Sequence, residues 1–149
     1  FKEGYIRTSG SVFSIDTDHI DNAAVHLTNN AVQKALDSYG QFEDATAKLR
    51  SLPRHTIKRE PDCGVDVRRD IVPAMKHQIL KSIYSVRKTI DPCKRKYTFE
   101  LFGYDFILDE DFNTWCIEVN TNPCLEESSQ MLAKYLPRMI EDMLKLTVD

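Results

Sequence analysis

Residues 99–123 read FELFGYDFILDEDFNTWCIEVNTNP, and this stretch decides the fold of the chain. Two apolar runs flank a short acidic segment, which predicts antiparallel strands at 97–108 and 114–120 joined by a tight turn. The first run carries apolar residues on both faces, as expected for a central strand that is covered on both sides. Asp105, Glu118 and Asn120 lie inside these runs, and we therefore expect their side chains to be buried.

The length of the turn sets which residues face each other across the two strands. A four-residue loop over 110–113 pairs Asp109 with Thr114, and it pairs Asp105 with Glu118. Burying a polar group without a hydrogen-bond partner costs about 2–7 kcal/mol, and burying an unpartnered charge costs more. Two neighbouring buried carboxylates therefore need a compensating cation.

Three oxygen-bearing side chains are predicted to share one face of this hairpin. Side chains alternate along a strand, so Asn120 points the same way as Glu118, and Asp105 faces them from the partner strand. Hard oxygen donors of this kind are the ligands that Mg²⁺ prefers, with nucleotide phosphates completing its shell. The pattern predicts metal-assisted phosphate chemistry. A solvated acidic hairpin without a metal is the alternative.

Composition bounds the class of protein. The chain has 149 residues, 42% hydrophobic and 29% charged, which is typical of one globular domain. Its net charge of −3 provides no overall field that would gather nucleic acid or an anionic membrane. The four cysteines lack CxxC spacing, which disfavours a zinc site and favours reduced thiols in a cytoplasmic protein. The chain opens without Met, and we expect it to be a piece of a longer polypeptide.

The remaining chain alternates helical and extended patterns. Apolar residues recur every three or four positions from 72 to 90, which predicts a helix with Asp70 as its N-cap. A further helix is predicted over 41–52, and another over 127–146 that Pro137 should kink or split. This alternation favours an α/β or α+β domain.

Three motifs together resemble one enzyme family. They are GYIRT at 4–8, HLTNNAVQK at 26–34 and YTFELFGYDFILDEDFNTWCIEVNTNPCLE at 97–126. Their order and spacing are similar to the C-terminal part of the catalytic domain of the tubulin tyrosine ligase-like family. The resemblance implies an ATP-grasp fold and an ATP-dependent ligase that forms an acyl phosphate before an amide bond. The N-terminal half of that domain has no match here, so we expect the 149 residues alone to be inactive.

The resemblance also implies roles for individual residues. Asp105, Glu118 and Asn120 match the magnesium ligands of the family, and Glu118 and Arg7 match catalytic residues. The other matched positions contact ligands in the family: Thr28 and Asn29 the nucleotide, and Asn30, Lys34 and Thr121 the amino-acid substrate.

The implied substrate is a tubulin tail on microtubules, to which the enzyme adds glutamate in the cytoskeleton, including the cilium and basal body. A glycine or tyrosine ligase, a ligase for another protein, and a non-catalytic microtubule or ciliary scaffold are the alternatives. Neither nucleic acid nor membrane is an expected partner. An acidic tail needs a basic docking surface, and one cluster of cations is a candidate for it: Lys48, Arg50, Arg54, His55, Lys58 and Arg59.

Overall fold

A computed structural model describes residues 3–7, 9, 11, 13–33, 46–48 and 65–148, with the backbone alone at 30 and 46–48. The chain divides into two compact units. The first unit contains Phe1–Thr56 and Glu127–Pro137, and the second contains Ile57–Glu126 and Arg138–Asp149. Helices and antiparallel strand pairs occur in the described part, so the predicted mixture of helix and antiparallel sheet is confirmed.

The first unit contains a short antiparallel strand pair. Strand β1, Tyr5–Arg7, pairs with β2, Thr46–Lys48. The helix that the sequence predicts over 41–52 is therefore wrong at 46–48, and its other residues lie outside the described part. The apolar spacing of that segment favours a helix locally, but pairing with a strand some forty positions away in sequence overrides a local preference.

Two single-turn helices follow β1 in the first unit. Helix α1, Ala23–His26, begins where the Asn22 side chain accepts a hydrogen bond from the Ala24 backbone N–H at 3.0 Å. Helix α2 spans Asn30–Gln33. The buried side-chain amide of Gln33 donates to the backbone oxygens of Ala24 at 3.1 Å and Leu27 at 2.6 Å. This amide therefore ties the two helices together and fixes the loop between them.

The longest described helix of the second unit is α3, Val72–Val86. A π-helical turn at Val67–Ile71 leads directly into this helix. Asp66 caps the turn by accepting from Arg69 N at 2.7 Å, and the Asp70 carboxylate accepts from Asp66 N at 2.8 Å. The predicted N-cap at Asp70 is therefore wrong by one turn, because Asp66 is the N-cap. Asp70 instead accepts a hydrogen bond from the backbone N–H of that N-cap residue, as the acidic residue of a capping box does.

Strands β3, Gly103–Leu108, and β4, Thr114–Asn120, form an antiparallel hairpin in the second unit. The first predicted strand was too long, since 97–102 have no regular structure. One face of the hairpin packs on α3, where the hydroxyls of Tyr104 and Ser82 lie 2.7 Å apart. Because neighbouring residues of a strand point to opposite faces, Asp105 lies on the face away from α3.

Helix α4, Gln130–Thr147, continues through Pro137, so Pro137 does not split it. The alternative that the sequence predicts, a kink at this proline, stays a prediction. The helix begins in the first unit and ends in the second. Three apolar side chains in the part of α4 that belongs to the first unit are buried, namely Met131, Tyr135 and Leu136. Among the helices in the described part, none is both long enough and apolar enough to span a bilayer.

Candidate metal centre

The hairpin turns over three residues instead of the predicted four. Asp109 N donates to Asn113 O at 3.1 Å, and Phe112 N donates to Asp109 O at 3.0 Å. Phe112 has φ 63°, the left-handed conformation that closes a three-residue loop of this type. The predicted pairing of Asp109 with Thr114 is therefore wrong, and Thr114 pairs with Leu108.

A β-bulge in β4 compensates for the shorter turn. Trp115 pairs with Ile107, yet Glu118 pairs with Asp105 as predicted, so β4 uses one more residue than β3 over this interval. The residue left without a partner is Ile117. Trp115 and Glu118 are three positions apart and would point to opposite faces of a regular strand. The bulge brings both onto the face that carries Asp105.

The three predicted oxygen-bearing side chains meet on this face. The Asn120 amide nitrogen donates to Oδ2 of Asp105 at 3.1 Å and to Oε1 of Glu118 at 3.1 Å. One donor group thus lies between two carboxylates and offsets part of their mutual repulsion. The pairing and the shared face that the sequence predicts are confirmed, and metal binding stays a prediction.

The expected burial of these side chains is wrong. Asp105 and Glu118 are exposed, and Asn120 is half-buried. Within the second unit, α3 covers only the opposite face of the hairpin, so the face with the carboxylates is reached by solvent. This exposure removes the argument that burial of the two carboxylates alone demands a cation.

The donor set fits a magnesium ion. Two carboxylate oxygens lie 3.1 Å from one shared atom, the Asn120 amide nitrogen, so both carboxylates reach the same point on this face of the hairpin. A rotation of that amide would present its oxygen as a third hard donor, which is the chemistry Mg²⁺ prefers. No group of three or more His, Cys, Asp or Glu residues in the described part could hold a metal. The site therefore depends on an amide oxygen beside its two carboxylates.

Gln78 on α3 anchors β4 on the turn side of the bulge. Its amide nitrogen donates to the backbone oxygen of Thr114 and to the Thr114 hydroxyl, the latter at 2.7 Å. Its amide oxygen accepts from Cys116 N at 3.1 Å. This side chain therefore bonds to the strand edge much as a neighbouring strand would. The sequence analysis did not identify Gln78. The one feature that could have indicated its role is a polar residue beside the apolar stripe of α3.

Gly103 allows the chain after β4 to pass close to the start of β3. A Cβ atom at this position would lie 3.1 Å from Cβ of Pro123 and 3.6 Å from Cβ of Asn120. A larger residue would push against the proline ring and against the strand residue that bridges the carboxylates. Thr121, predicted to contact the amino-acid substrate, lies in the exposed bend between Asn120 and Pro123.

Arg7 lies on β1 in the first unit, with an exposed side chain. Its guanidinium donates to the Tyr5 hydroxyl at 2.9 Å, and its central carbon lies 5.4 Å from the centroid of the Tyr5 ring. Stacking of this kind restricts the long arginine side chain and leaves other N–H donors free for an anion.

The predicted nucleotide and substrate positions of the second motif form one loop and one helix. Thr28 and Asn29 lie in the loop between α1 and α2, and Asn30 opens α2. Lys34 lies outside the described residues. The sequence analysis did not indicate Gln33, whose side-chain amide donates a hydrogen bond to Leu27 O and so fixes the start of the Thr28–Asn29 loop. The sequence feature that could have indicated this role is a polar residue at a position of α2 that is buried.

Comparison with known proteins decides the family. The model of the Tubulin-tyrosine ligase family matches residues 1–149, which is the whole chain. The chain belongs to the tubulin-tyrosine ligase family. The resemblance that the three motifs indicate is thereby confirmed.

Relatives within the tubulin-tyrosine ligase family have more than one named activity. The chain is 36% identical to Tubulin glycylase 3D of Tetrahymena thermophila, over 100% of the chain and 14% of that protein. It is 33% identical to Protein monoglycylase TTLL8 of Homo sapiens, over 100% of the chain and 17% of that protein. It is 32% identical to Probable tubulin polyglutamylase TTLL9 of Rattus norvegicus, over 97% of the chain and 30% of that protein. The chain thus spans less than a third of each of these relatives.

Proposed function

We propose that the full-length protein is an ATP-dependent ligase that joins an amino acid to a tubulin tail. One observation carries this proposal: Asp105, Glu118 and Asn120 converge on one accessible sheet face, in a chain whose family relatives are named for tubulin modification. The proposal includes the ATP-grasp fold, with this chain as the C-terminal part of the catalytic domain.

ATP and Mg²⁺ are the cofactors in this proposal. Bound Mg²⁺ would offset negative charge on the phosphates while a phosphoryl group moves to a carboxylate. Asp105, Glu118 and the amide oxygen of Asn120 would hold the ion, and the Arg7 guanidinium would bind a phosphate or carboxylate anion. The remaining roles follow from the resemblance: Thr28 and Asn29 contact the nucleotide, and Asn30, Lys34 and Thr121 contact the amino acid.

Glutamate is the amino acid that we propose first, and glycine is the second candidate. The sequence resemblance favoured glutamate, and a relative named as a probable tubulin polyglutamylase supports it. Relatives named as glycylases support glycine. In either case the proposed partners are tubulin tails and a free amino acid, and the proposed location is the microtubule cytoskeleton.

A non-catalytic scaffold fits the site less well than a ligase does. Two carboxylates within reach of one amide repel each other and do not stabilise a fold on their own. A scaffold has no need to place such a pair on an accessible face. The 149 residues span only 14% of the length of Tubulin glycylase 3D. We therefore expect these 149 residues by themselves not to catalyse ligation.

The test is Glu118→Gln in the full-length protein, with Glu100→Gln as the matched control. Both changes remove one exposed carboxylate from the same stretch of chain, but only Glu118 faces Asp105. Ligation is measured as incorporation of radiolabelled glutamate or glycine into tubulin with ATP and Mg²⁺. Mass spectrometry of the released tails identifies the added residue, and thermal unfolding monitors the fold.

We expect Glu118→Gln to lower ligation by about a hundredfold or more, since a lost charge-stabilising group typically costs that much in rate. Glu100→Gln should retain parental activity. Parental ligation by Glu118→Gln would overturn the proposed catalytic role. Microtubule binding without ligation by the parent protein would favour the scaffold instead.

A further inference from the structure

The segment between α3 and β3 carries a charge opposite to that of the whole chain. Residues 87–96 contain five cations and a single acid, Asp91, whereas the chain as a whole has a net charge of −3. The cations are Arg87, Lys88, Lys94, Arg95 and Lys96. We call residues 84–99, which comprise the end of α3 and the segment after it, the basic loop. Such segregation creates a local positive field that the net charge conceals.

Local turns hold the basic loop in a defined shape. Ile90 N donates to Val86 O at 2.9 Å, which extends the end of α3 by a turn. Lys94 N then donates to Asp91 O at 3.2 Å, which closes a second turn. Lys94 and Tyr97 both have left-handed backbones, with φ 47° and φ 57°. Single left-handed residues of this kind are typical of turns.

Three of the cations are available to a ligand. Lys88, Lys94 and Lys96 are exposed and make no ion pair with any residue that the structure describes. The other two are held locally. The Arg87 guanidinium lies 5.9 Å from the centroid of the Tyr84 ring, and Arg95 Nε lies 3.5 Å from Oδ1 of Asp91.

Exposed apolar side chains are interleaved with these cations. Tyr97 is fully exposed, and Tyr84, Phe99 and Ile90 are 64%, 55% and 43% exposed. Aromatic groups beside cations are characteristic of interaction surfaces, because they add contact area to an electrostatic attraction. A solvated polar loop would not need to expose four large apolar side chains.

We propose that the basic loop is a docking surface for a carboxylate-rich segment of the acceptor protein. The proposal rests on the proposed ligase function. The loop leads directly into β3, and the chain from Lys96 to Gly103 can span at most about 25 Å. An acidic acceptor held by the loop is therefore retained within reach of Asp105 and Glu118. The short chain distance between the basic loop and β3 favours an acidic peptide over an anionic lipid surface, because only a peptide acceptor needs to be close to Asp105 and Glu118.

The experiment compares two triple variants of the full-length protein that remove equal charge. Lys88→Gln, Lys94→Gln and Lys96→Gln together neutralise the three available cations of the basic loop. Their control changes three exposed cations elsewhere: Arg68→Gln, Lys76→Gln and Lys134→Gln. Fluorescence anisotropy measures binding of a labelled decaglutamate peptide and of a decaglutamine peptide, at low and at physiological salt. Phosphatidylserine vesicles are the competing probe, and thermal unfolding confirms that both variants fold.

The loop variant should bind decaglutamate about tenfold more weakly at low salt, because it loses three exposed charge contacts and each should change the affinity by about twofold. Its salt dependence should also be weaker, while the control variant should bind as the parent does. Equal losses in both variants, or unchanged binding by the loop variant, would overturn the proposal. So would equal affinity of the parent for decaglutamine, or a loss by the loop variant that is confined to vesicles. Because no ATP is present, an inactive ligase would leave this binding result unaffected.

Discussion

The indole Nε1–H of Trp115 donates a hydrogen bond to Oδ2 of Asp109 at 2.9 Å. The same carboxylate accepts from the backbone N–H groups of Asp111 at 3.0 Å and Asn113 at 2.8 Å, and from the Asn113 side-chain amide at 3.0 Å. One side chain therefore organises the whole turn. It also holds Trp115 on the same face of β4 as Glu118, although the two residues lie on opposite sides of the bulge along the strand.

These hydrogen bonds predict how stability depends on acid. The Trp115 hydrogen bond first, and then those from Asn113, lower the pKa of Asp109 from 3.8 to about 2. A lowered pKa in the folded state stabilises the fold at pH values above 3.8, and this contribution disappears as the pH falls towards 2. Asp109→Asn should therefore unfold at lower urea concentration than the parent near neutral pH, and it should lose less of its stability in the acid range.

The measurement is the urea midpoint of the full-length protein and its variants from neutral pH to the acid range. Trp115→Phe is the matched comparison, since it keeps an aromatic ring and removes the Nε1–H donor together with part of the indole ring. It should lie between the parent and Asp109→Asn. Parallel pH curves for the parent and Asp109→Asn would show that this carboxylate does not support the fold.

The backbone of Phe112 predicts an unusual order of stabilities. Its φ of 63° is costly for most side chains and worst for β-branched ones, whereas asparagine tolerates it. Phe112→Val should therefore be less stable than Phe112→Asn by about 1–2 kcal/mol, although valine is the more apolar residue. Urea unfolding of the two variants checks this order, and the reverse order would mean that apolar contacts of residue 112 outweigh backbone strain.

Loss of the Gln78 amide should weaken the attachment of β4 to α3. Gln78→Met keeps the length of the side chain but leaves Thr114 O and Cys116 N without this partner. We expect a loss of about 1–3 kcal/mol in the free energy of unfolding, the usual cost of an unsatisfied polar group. His77→Met, a change at the exposed neighbouring position of α3, is the control and should have little effect. Equal effects of the two changes would contradict the anchoring role.

The sequence predicted the hairpin but could not predict its turn. Two apolar runs around an acidic segment were enough to place β4, and the assumed length of the loop paired Asp105 with Glu118. The four-residue loop was wrong because a phenylalanine, instead of a glycine or asparagine, adopts the left-handed conformation at 112. The pairing nevertheless held, since the bulge at Ile117 adds the residue that the turn lacks. A pattern of residue types does not reveal two compensating irregularities.

Contacts between distant parts of the chain were the other gap. Gln78 and Gln33 act through side-chain bonds to backbone groups, and such bonds leave no periodic signal in a sequence. The strand at Thr46–Lys48 exists because it pairs with β1, which local spacing does not indicate. The expected burial of the carboxylates failed for the same reason, because it assumed that both faces of the hairpin are covered.

The most direct test of the central claim is a crystal structure of the full-length protein with Mn²⁺ and a non-hydrolysable ATP analogue, using anomalous diffraction to locate the metal. Manganese accepts the same oxygen ligands as magnesium. We expect an anomalous peak about 2.1 Å from oxygens of Asp105, Glu118 and Asn120, with the asparagine amide rotated so that its oxygen faces the ion. A metal bound to the analogue but remote from these three side chains would contradict the central claim.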